Sequence, residues 1–312
     1  MKNHEHAKDE NHDHSDSDER IEKTIEAGKI LSEVREESKK WIKPGMKLEE
    51  LADKIESAII KKGAQPAFPA NLSINDIAAH YTPHLNDQTV LNENDVLKVD
   101  IGAHIDGFVT DSAYTICHSG ENQNLIDAAK NALDAAIASC KPGVLISDIS
   151  TAIEKEITAL GFKPIENLTG HGVGQFIVHQ DPAIPNIPHK SPKTLEDGMI
   201  IAIEPFATNS RGRVHDTEIC LIFRLDDIKP VRNPISRKII EASQKYNGLP
   251  FAERWMQRDL GVPAFSFKMA MKELLDKAIL YPYPALKEQS GSLVSQFEHT
   301  IIIQDKPIVA TK

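Results

Sequence analysis

Two acidic residues interrupt what otherwise reads as a β-hairpin. In LKVDIGAHIDGFVTDSAYTI (97–116), β-prone residues flank an Asp106-Gly107 turn, yet Asp100 ends the first strand and Asp111 lies inside the second. If the turn is those two residues, Asp111 faces Gly102, and Asp100 lies two residues from Gly102 on the same face. If the loop is four residues, 104–107, Asp100 faces Asp111 directly. Either register puts both carboxylates on one half-buried face, because side chains alternate along a strand. Like charges that close repel and raise a carboxyl pKa, and a divalent cation removes the problem.

More donors of the same kind occupy strand-like positions. Glu204 ends the apolar run MIIAIEPF, and Glu298 interrupts QFEHTIII. His80 lies in NDIAAHYTP, and His171 and His179 in GHGVGQFIVH, where glycines permit close backbone approach. Carboxylates with imidazoles suit Mn, Fe, Co or Zn better than a structural zinc site, which takes thiolates. Carboxylates that can bridge are what a two-metal hydrolytic centre needs, with ions about 3.5–4 Å apart activating one water. Each residue also has a plainer reading: a strand-end Asp as a turn residue, a strand Glu on the wet face, His80 as a core histidine. Asp216 and Glu218 are second-choice carboxylates; His104 and Asp106 read as turn residues, and His84, His118 and His189 as surface or structural.

The elements that must position these residues repeat. IEKTIEAGKILSEVREESKKWI and KLEELADKIESAIIKKG are amphipathic helices stopped by KPG and by glycine; NLIDAAKNALDAAIASCKPG and VLISDISTAIEKEITALGF return the same pair. Gly45 and Gly143, Gly63 and Gly161, and Pro66 and Pro164 are each 98 apart. LNENDVLKVD and LEDGMIIAIE then align at a spacing of 104, which superposes Asp100 on Glu204. Two halves of this kind predict a pseudo-twofold α/β (α+β) fold whose strands face one shared site. HDTEICLIF (215–223) reads as a strand, residues 224–291 as a helical insertion packed on the core, and SLVSQFEHTIIIQ as a strand again. Residues 1–20 carry no aliphatic residue beyond Met1 and Ala7 and predict a disordered tail, whose His4, His6, His12 and His14 could collect metal.

The 312 residues suffice for one large domain or two ordinary ones, and no run of 18 apolar residues predicts a membrane helix. The N-terminus has no apolar stretch of signal-peptide type. Cys117, Cys140 and Cys220 are distant and odd in number, which fits a reducing compartment and argues against disulfides or a Cys-type zinc site. A net charge of −10 disfavours general nucleic-acid binding.

The segments AFPANLSINDIAAHYTP, LKVDIGAHIDGFVTDSAYT, LTGHGVGQFIVH, IAIEPFAT and SQFEHTII resemble those of type 2 methionine aminopeptidases, in the pita-bread metallopeptidase family. The resemblance covers nearly all of residues 21–312. It implies a pita-bread domain of 21–223 and 292–312, with 224–291 as an inserted helical subdomain of winged-helix look. It implies that Asp100 chelates one divalent ion, that Asp111 and Glu298 bridge, and that His171 and Glu204 bind a second, the ions being Co, Mn, Fe or Zn. His80 and His179 would contact the peptide and stabilise charge on its carbonyl oxygen, Glu204 would shuttle the proton, and Phe68 would line the methionine pocket. The activity implied is removal of the initiator methionine from nascent polypeptide N-termini before small second residues, by a monomeric cytoplasmic enzyme. The ribosome is a candidate neighbour; no membrane or nucleic-acid partner is expected. Two alternatives share parts of this pattern: a prolidase-like X-Pro peptidase, disfavoured by the missing extra N-terminal domain, and a metal-free binding relative, disfavoured by the intact ligand set.

Overall fold

The computed structural model describes residues 10–312. The first half runs α1 (Glu10–Trp41), α2 (Leu48–Lys61), β1 (Gln65–Ile74), β2 (Ile77–Ala79), β3 (Leu97–Ile105) and β4 (Phe108–Ile116). The second runs α3 (Gln123–Ser139), α4 (Ile146–Ala159), β5 (Lys163–Pro164), β6 (Thr169–Gly174), β7 (Ile177–Pro185), β8 (Ile200–Ile203) and β9 (Phe206–Thr208). There follow β10 (His215–Leu225), α5 (Pro234–Ser243), β11 (Phe251–Ala252), α6 (Glu253–Leu260), α7 (Ala264–Asp276) and β12 (Leu280–Lys287). The chain closes with β13 (Val294–Gln296), β14 (His299–Ile302) and β15 (Ile308–Val309).

The repeat is physical. Helices α2 and α4 start and end 98 positions apart. Each stops in the same way: Gly63 (φ 97°) and Gly161 (φ 81°) take the left-handed conformation that only glycine adopts cheaply. The residues after them, Ala64 and Phe162, donate back to the Ile59 and Ile157 carbonyls. Buried positions also correspond. Leu48, Leu51, Ile55 and Ile59 fill one core, and Ile146, Ile149, Ile153 and Ile157 fill the other. Each of these side chains contributes about 1.5–3 kcal/mol of apolar burial as an upper estimate. Even the turns before α2 and α4 match, Gly45 donating to the Leu91 carbonyl and Gly143 to that of Leu195.

Pairing follows the same symmetry. The sheet β1-β3-β4 puts Asn71 opposite Asp100, and in β15-β14-β8-β6-β7 the pair His171 and Ala202 repeats that register after the shifts of 98 and 104. The hairpin takes the two-residue turn: Ile105 pairs Phe108 and Gly102 pairs Asp111, with Asp106 and Gly107 both at positive φ. Backbone twist favours that turn, and Asp-Gly supplies it.

Two expectations need correction. The sequence predicts a disordered tail through residue 20, but the backbone is helical from Glu10; residues 1–9 and the side chains of residues 10–17, and with them the metal-collecting role of His4, His6, His12 and His14, lie outside what the structure describes. The packed turns after Arg20 propagate the helix backward, because extending a formed helix costs far less than nucleating one. The segment 224–291 is not purely helical either. It contains β11 and β12, which join β10 and β2 in a four-stranded sheet, order β11-β10-β12-β2. Its helices share a cluster built on Phe223, Ile239, Phe251, Met256, Phe267 and Leu274. Arg254 on α6, fully buried, ties it to the first half through an ion pair with Glu56 of α2 and a 2.6 Å bond to Thr82 Oγ1. Glu56 also accepts from Trp255 Nε1 at 2.8 Å and from the Ala70 N–H of β1 at 3.0 Å.

Candidate metal centre

The two halves bring their acids to one cleft. Phe68, His80, Asp100, Asp111, His171, His179, Glu204 and Glu298 all line a single cavity, together with Asn71, Val178, Ile222, Pro250 and Tyr283. Asp100 and Asp111 project from the same face of the β3–β4 hairpin. His171 comes from β6, Glu204 from the residue after β8, and Glu298 from the break between β13 and β14. His179 lies on β7 and His80 just after β2.

Distances fit a shared cation. The His171 Nε2 stands 3.8 Å from Asp111 Oδ2, 3.8 Å from Glu204 Oε1 and 3.9 Å from Glu298 Oε1. Donor atoms of Asp111, His171 and Glu298 all lie within 4.8 Å of one another. Asp100 and Glu204 are joined through Gln296, whose Nε2 reaches Asp100 Oδ2 at 3.5 Å and Glu204 Oε2 at 3.3 Å. The His171 Nδ1 faces the Gly172 carbonyl at 3.2 Å. A carbonyl only accepts, so Nδ1 carries the proton and the Nε2 lone pair points at three carboxylates.

That arrangement is unfavourable by itself. Asp100 Oδ1, Asp111 Oδ1 and Glu298 Oε1 are buried without a hydrogen-bond partner. Burial pushes the Asp100 pKa up to about 6. Burial, then repulsion from the neighbouring carboxylates, raises Asp111, Glu204 and Glu298 well above the ordinary range. Burial pushes the His171 imidazolium down to about 4, so the ring is neutral at pH 7. A neutral imidazole amid unpaired carboxylate oxygens is the donor set of a hard-to-borderline divalent cation, and the residues fit one.

Histidines and apolar walls surround these acids. The His179 ring crosses that of His171 with centroids 4.4 Å apart at 76°. Protein packing around His179, then the other imidazoles, lowers its pKa. Its solvent-exposed edge moderates that shift, because water there still solvates the imidazolium. His80 holds φ at 62°, a strained value for a non-glycine residue, and meets Tyr283 edge-on with centroids 5.8 Å apart. Phe68 packs over Gly102, where a Cβ would fall 2.2 Å from the ring. Asp216 and Glu218 are exposed and outside the cavity lining; His84, His118 and His189 are exposed too. His104 accepts from the Gly107 N–H in the turn, and Asp106 pairs with Lys23.

Sequence reading missed Asn71, Gln296 and Tyr283. Gln296 shares a strand face with Glu298, two residues on, which is a signal in retrospect. Asn71 donates to Asp100 at 3.4 Å from the neighbouring strand, and Tyr283 arrives on β12; both depend on long-range pairing.

Comparison with known proteins agrees with this geometry. The description "Metallopeptidase family M24" matches residues 22–240. The chain belongs to that family. A methionine aminopeptidase of Archaeoglobus fulgidus is 47% identical over 92% of this chain and 97% of its own. A solved methionine aminopeptidase from Thermotoga maritima superposes with a TM-score of 0.69 at 25% identity, covering 94% of this chain and 97% of that one. A thermophilic Arx1 structure superposes at 0.80 over 94% and 90% of the two chains; at 19% identity that likeness shows the fold alone. The architecture is the pita-bread fold of these M24 proteins. Among the described residues, no helix is long and apolar enough to cross a membrane.

Proposed function

We propose that this chain is a methionine aminopeptidase that holds two divalent ions on Asp100, Asp111, His171, Glu204 and Glu298. The observation that carries the reading is the convergence of buried, unpartnered carboxylate oxygens on the neutral Nε2 of His171. Relatives at 47% and 45% identity, both methionine aminopeptidases, favour methionine removal over X-Pro cleavage and over a binding role without metal.

Asp100 would chelate one ion, Asp111 and Glu298 would bridge, and His171 and Glu204 would bind the other. Bound divalent ions would neutralise the carboxylates and, by Lewis acidity, lower the pKa of a water toward neutrality. Glu204 takes the proton of the attacking water and returns it to the departing amine. His179 donates a hydrogen bond to the carbonyl oxygen as negative charge grows there. His80 holds the N-terminal end of the peptide, which makes cleavage an exopeptidase event. Phe68, with Val178, Ile222 and Tyr283, offers an apolar slot to the flexible thioether.

We further assign the chain to the type 2 branch on its insertion, 224–291, which gives Pro250 and Tyr283 to the cleft. The catalytic domain is then 21–223 with 292–312. The substrates are nascent polypeptide N-termini with small second residues, met in the cytoplasm near the ribosome. Turnover of Met-Ala-Ser against an X-Pro dipeptide, with Co, Mn, Fe or Zn supplied in turn, tests the activity. Methionine release is expected; preferential X-Pro cleavage overturns the assignment. Metal analysis after dialysis tests the binding alternative, which expects no stoichiometric metal.

A further inference from the structure

Behind the metal centre, on the opposite face of its strands, lies a buried arginine whose partners are not those of an ordinary ion pair. Arg35 of α1 is 8% exposed, and its Nη1 meets Ser112 Oγ at 3.0 Å, the Thr311 carbonyl at 2.7 Å and His299 Nδ1 at 3.2 Å. Among the described residues its one carboxylate contact, Glu36 at 3.1 Å through Nε, is half exposed. The cation is permanent, so its burial demands a reason.

The reason lies in what the partners touch. Ser112 follows Asp111 and His299 follows Glu298, so strand alternation turns their side chains away from the cleft and toward α1. Ser112 Oγ donates to the Glu298 carbonyl at 3.0 Å. Thr311 Oγ1 accepts from the Thr300 N–H at 3.1 Å and lies 2.8 Å from His299 Nδ1. Two donors face that nitrogen, so it is the unprotonated one. Thr300 Oγ1 in turn accepts from the Asp111 N–H at 2.7 Å and donates to the Asp111 carbonyl at 2.9 Å. Strands β4 and β14 belong to different sheets, and these hydroxyls stand in for ladder bonds between them.

We propose that Arg35 is a positioning residue for the metal centre: through Ser112, Thr311 and Thr300 it holds in register the two backbones that carry Asp111 and Glu298. This rests on reading those two carboxylates as bridging ligands. The segment Ala310–Thr311 completes the network by lying against α1 at Gly28, where a Cβ would fall 2.3 Å from the Ala310 carbonyl oxygen. Gly28 is thereby part of the device, although alanine would ordinarily favour a helix interior.

The test is a cobalt(II) titration of metal-stripped protein, read by binding affinity and visible absorption. Arg35→Met is expected to lower affinity about 10–100-fold, as loss of groups that orient metal ligands does, and to alter the cobalt spectrum. Arg35→Lys is expected to restore part of the loss, and Gly28→Ala to fall between. Wild-type affinity and spectrum in folded Arg35→Met, even with a lower melting temperature, would mean a structural role only and overturn the proposal. Should Arg35→Met not fold, Gly28→Ala and Thr311→Val decide: unchanged cobalt binding in both overturns it. A wild-type protein that binds no cobalt fails the functional reading instead, so the two failures are distinct.

Discussion

Glu298 and Ala113 exchange backbone hydrogen bonds, the Glu298 N–H donating at 2.9 Å and the Ala113 N–H at 3.3 Å, and this reciprocal pair sets Glu298 beside Asp111. One strand descends from each half of the molecule, and the two bridging candidates meet where the strands touch. Asp111→Asn keeps the shape and removes a charge. It is expected to cut methionine release at least about 100-fold by spoiling the ion pair. The same change relieves repulsion among buried carboxylates, so the metal-free variant should melt a few degrees above metal-free wild type. Near-normal turnover in a verified variant would remove Asp111 from the centre.

Phe68 and Gly102 face each other across β1 and β3. A methyl at Gly102 cannot coexist with the ring where it lies, 2.2 Å away. Gly102→Ala should displace the ring into the cleft and raise KM for methionyl peptides about tenfold, about 1.4 kcal/mol of lost binding. An unchanged KM would show that Phe68 does not shape the pocket.

His179 touches the His171 ring without sharing its carboxylate contacts. His179→Ala is therefore expected to keep its metal and lose about 100-fold or more in kcat. Metal analysis beside the kinetics decides it: metal loss would make His179 a ligand.

The Arg254–Glu56 pair joins the insertion to the wall that carries Asn71 and Phe68. Arg254→Leu leaves Glu56 buried with its cation gone, at a cost of about 3–5 kcal/mol. Arg254→Leu with Glu56→Leu should recover much of that stability in denaturant unfolding. A double variant as weak as the single one would show that the pair itself, and not the stranded charge, carries the energy.

Metal removal should expose the strain in the cleft. Asp100 is raised to about 6, and Asp111, Glu204 and Glu298 lie well above the carboxylate range, burial being the first cause of each. In metal-stripped protein these groups keep protons that the unfolded chain releases near about pH 4. The folded state binds more protons, so their contribution is full below about pH 4 and is lost as pH rises through about 6 and beyond. The melting temperature of stripped protein should fall between about pH 5 and pH 8, less steeply in Asp111→Asn, and added manganese should stabilise more at the upper end. A flat or rising profile contradicts the shifts.

Local signals carried much of this molecule. Glycine stops, helix faces and the 98-residue offset predicted both helix pairs, because those features depend on neighbours a few residues apart. The hairpin was legible to within its register, which Asp106-Gly107 settles at two residues. What escaped depends on distant partners. LYPYPALK, with its two prolines, gives no strand pattern of its own; pairing with β10 and β2 makes it β12 and delivers Tyr283 to the cleft. Arg35 looked like one more charge on an amphipathic helix, and only the crossing of β4 and β14 beneath it gives it partners. The tail read as uniformly polar, with nothing local to show that α1 reaches back to Glu10.

The central claim is that donors from both halves converge on ions that make this cleft a methionine-releasing site. Titrating Co, Mn, Fe or Zn into metal-stripped protein while following methionine release from Met-Ala-Ser tests it most directly. Activity should rise from a negligible baseline and saturate with bound metal, and Asp111→Asn should stay near that baseline. Folded protein that binds none of these ions, or binds them and leaves the peptide intact, would contradict the account.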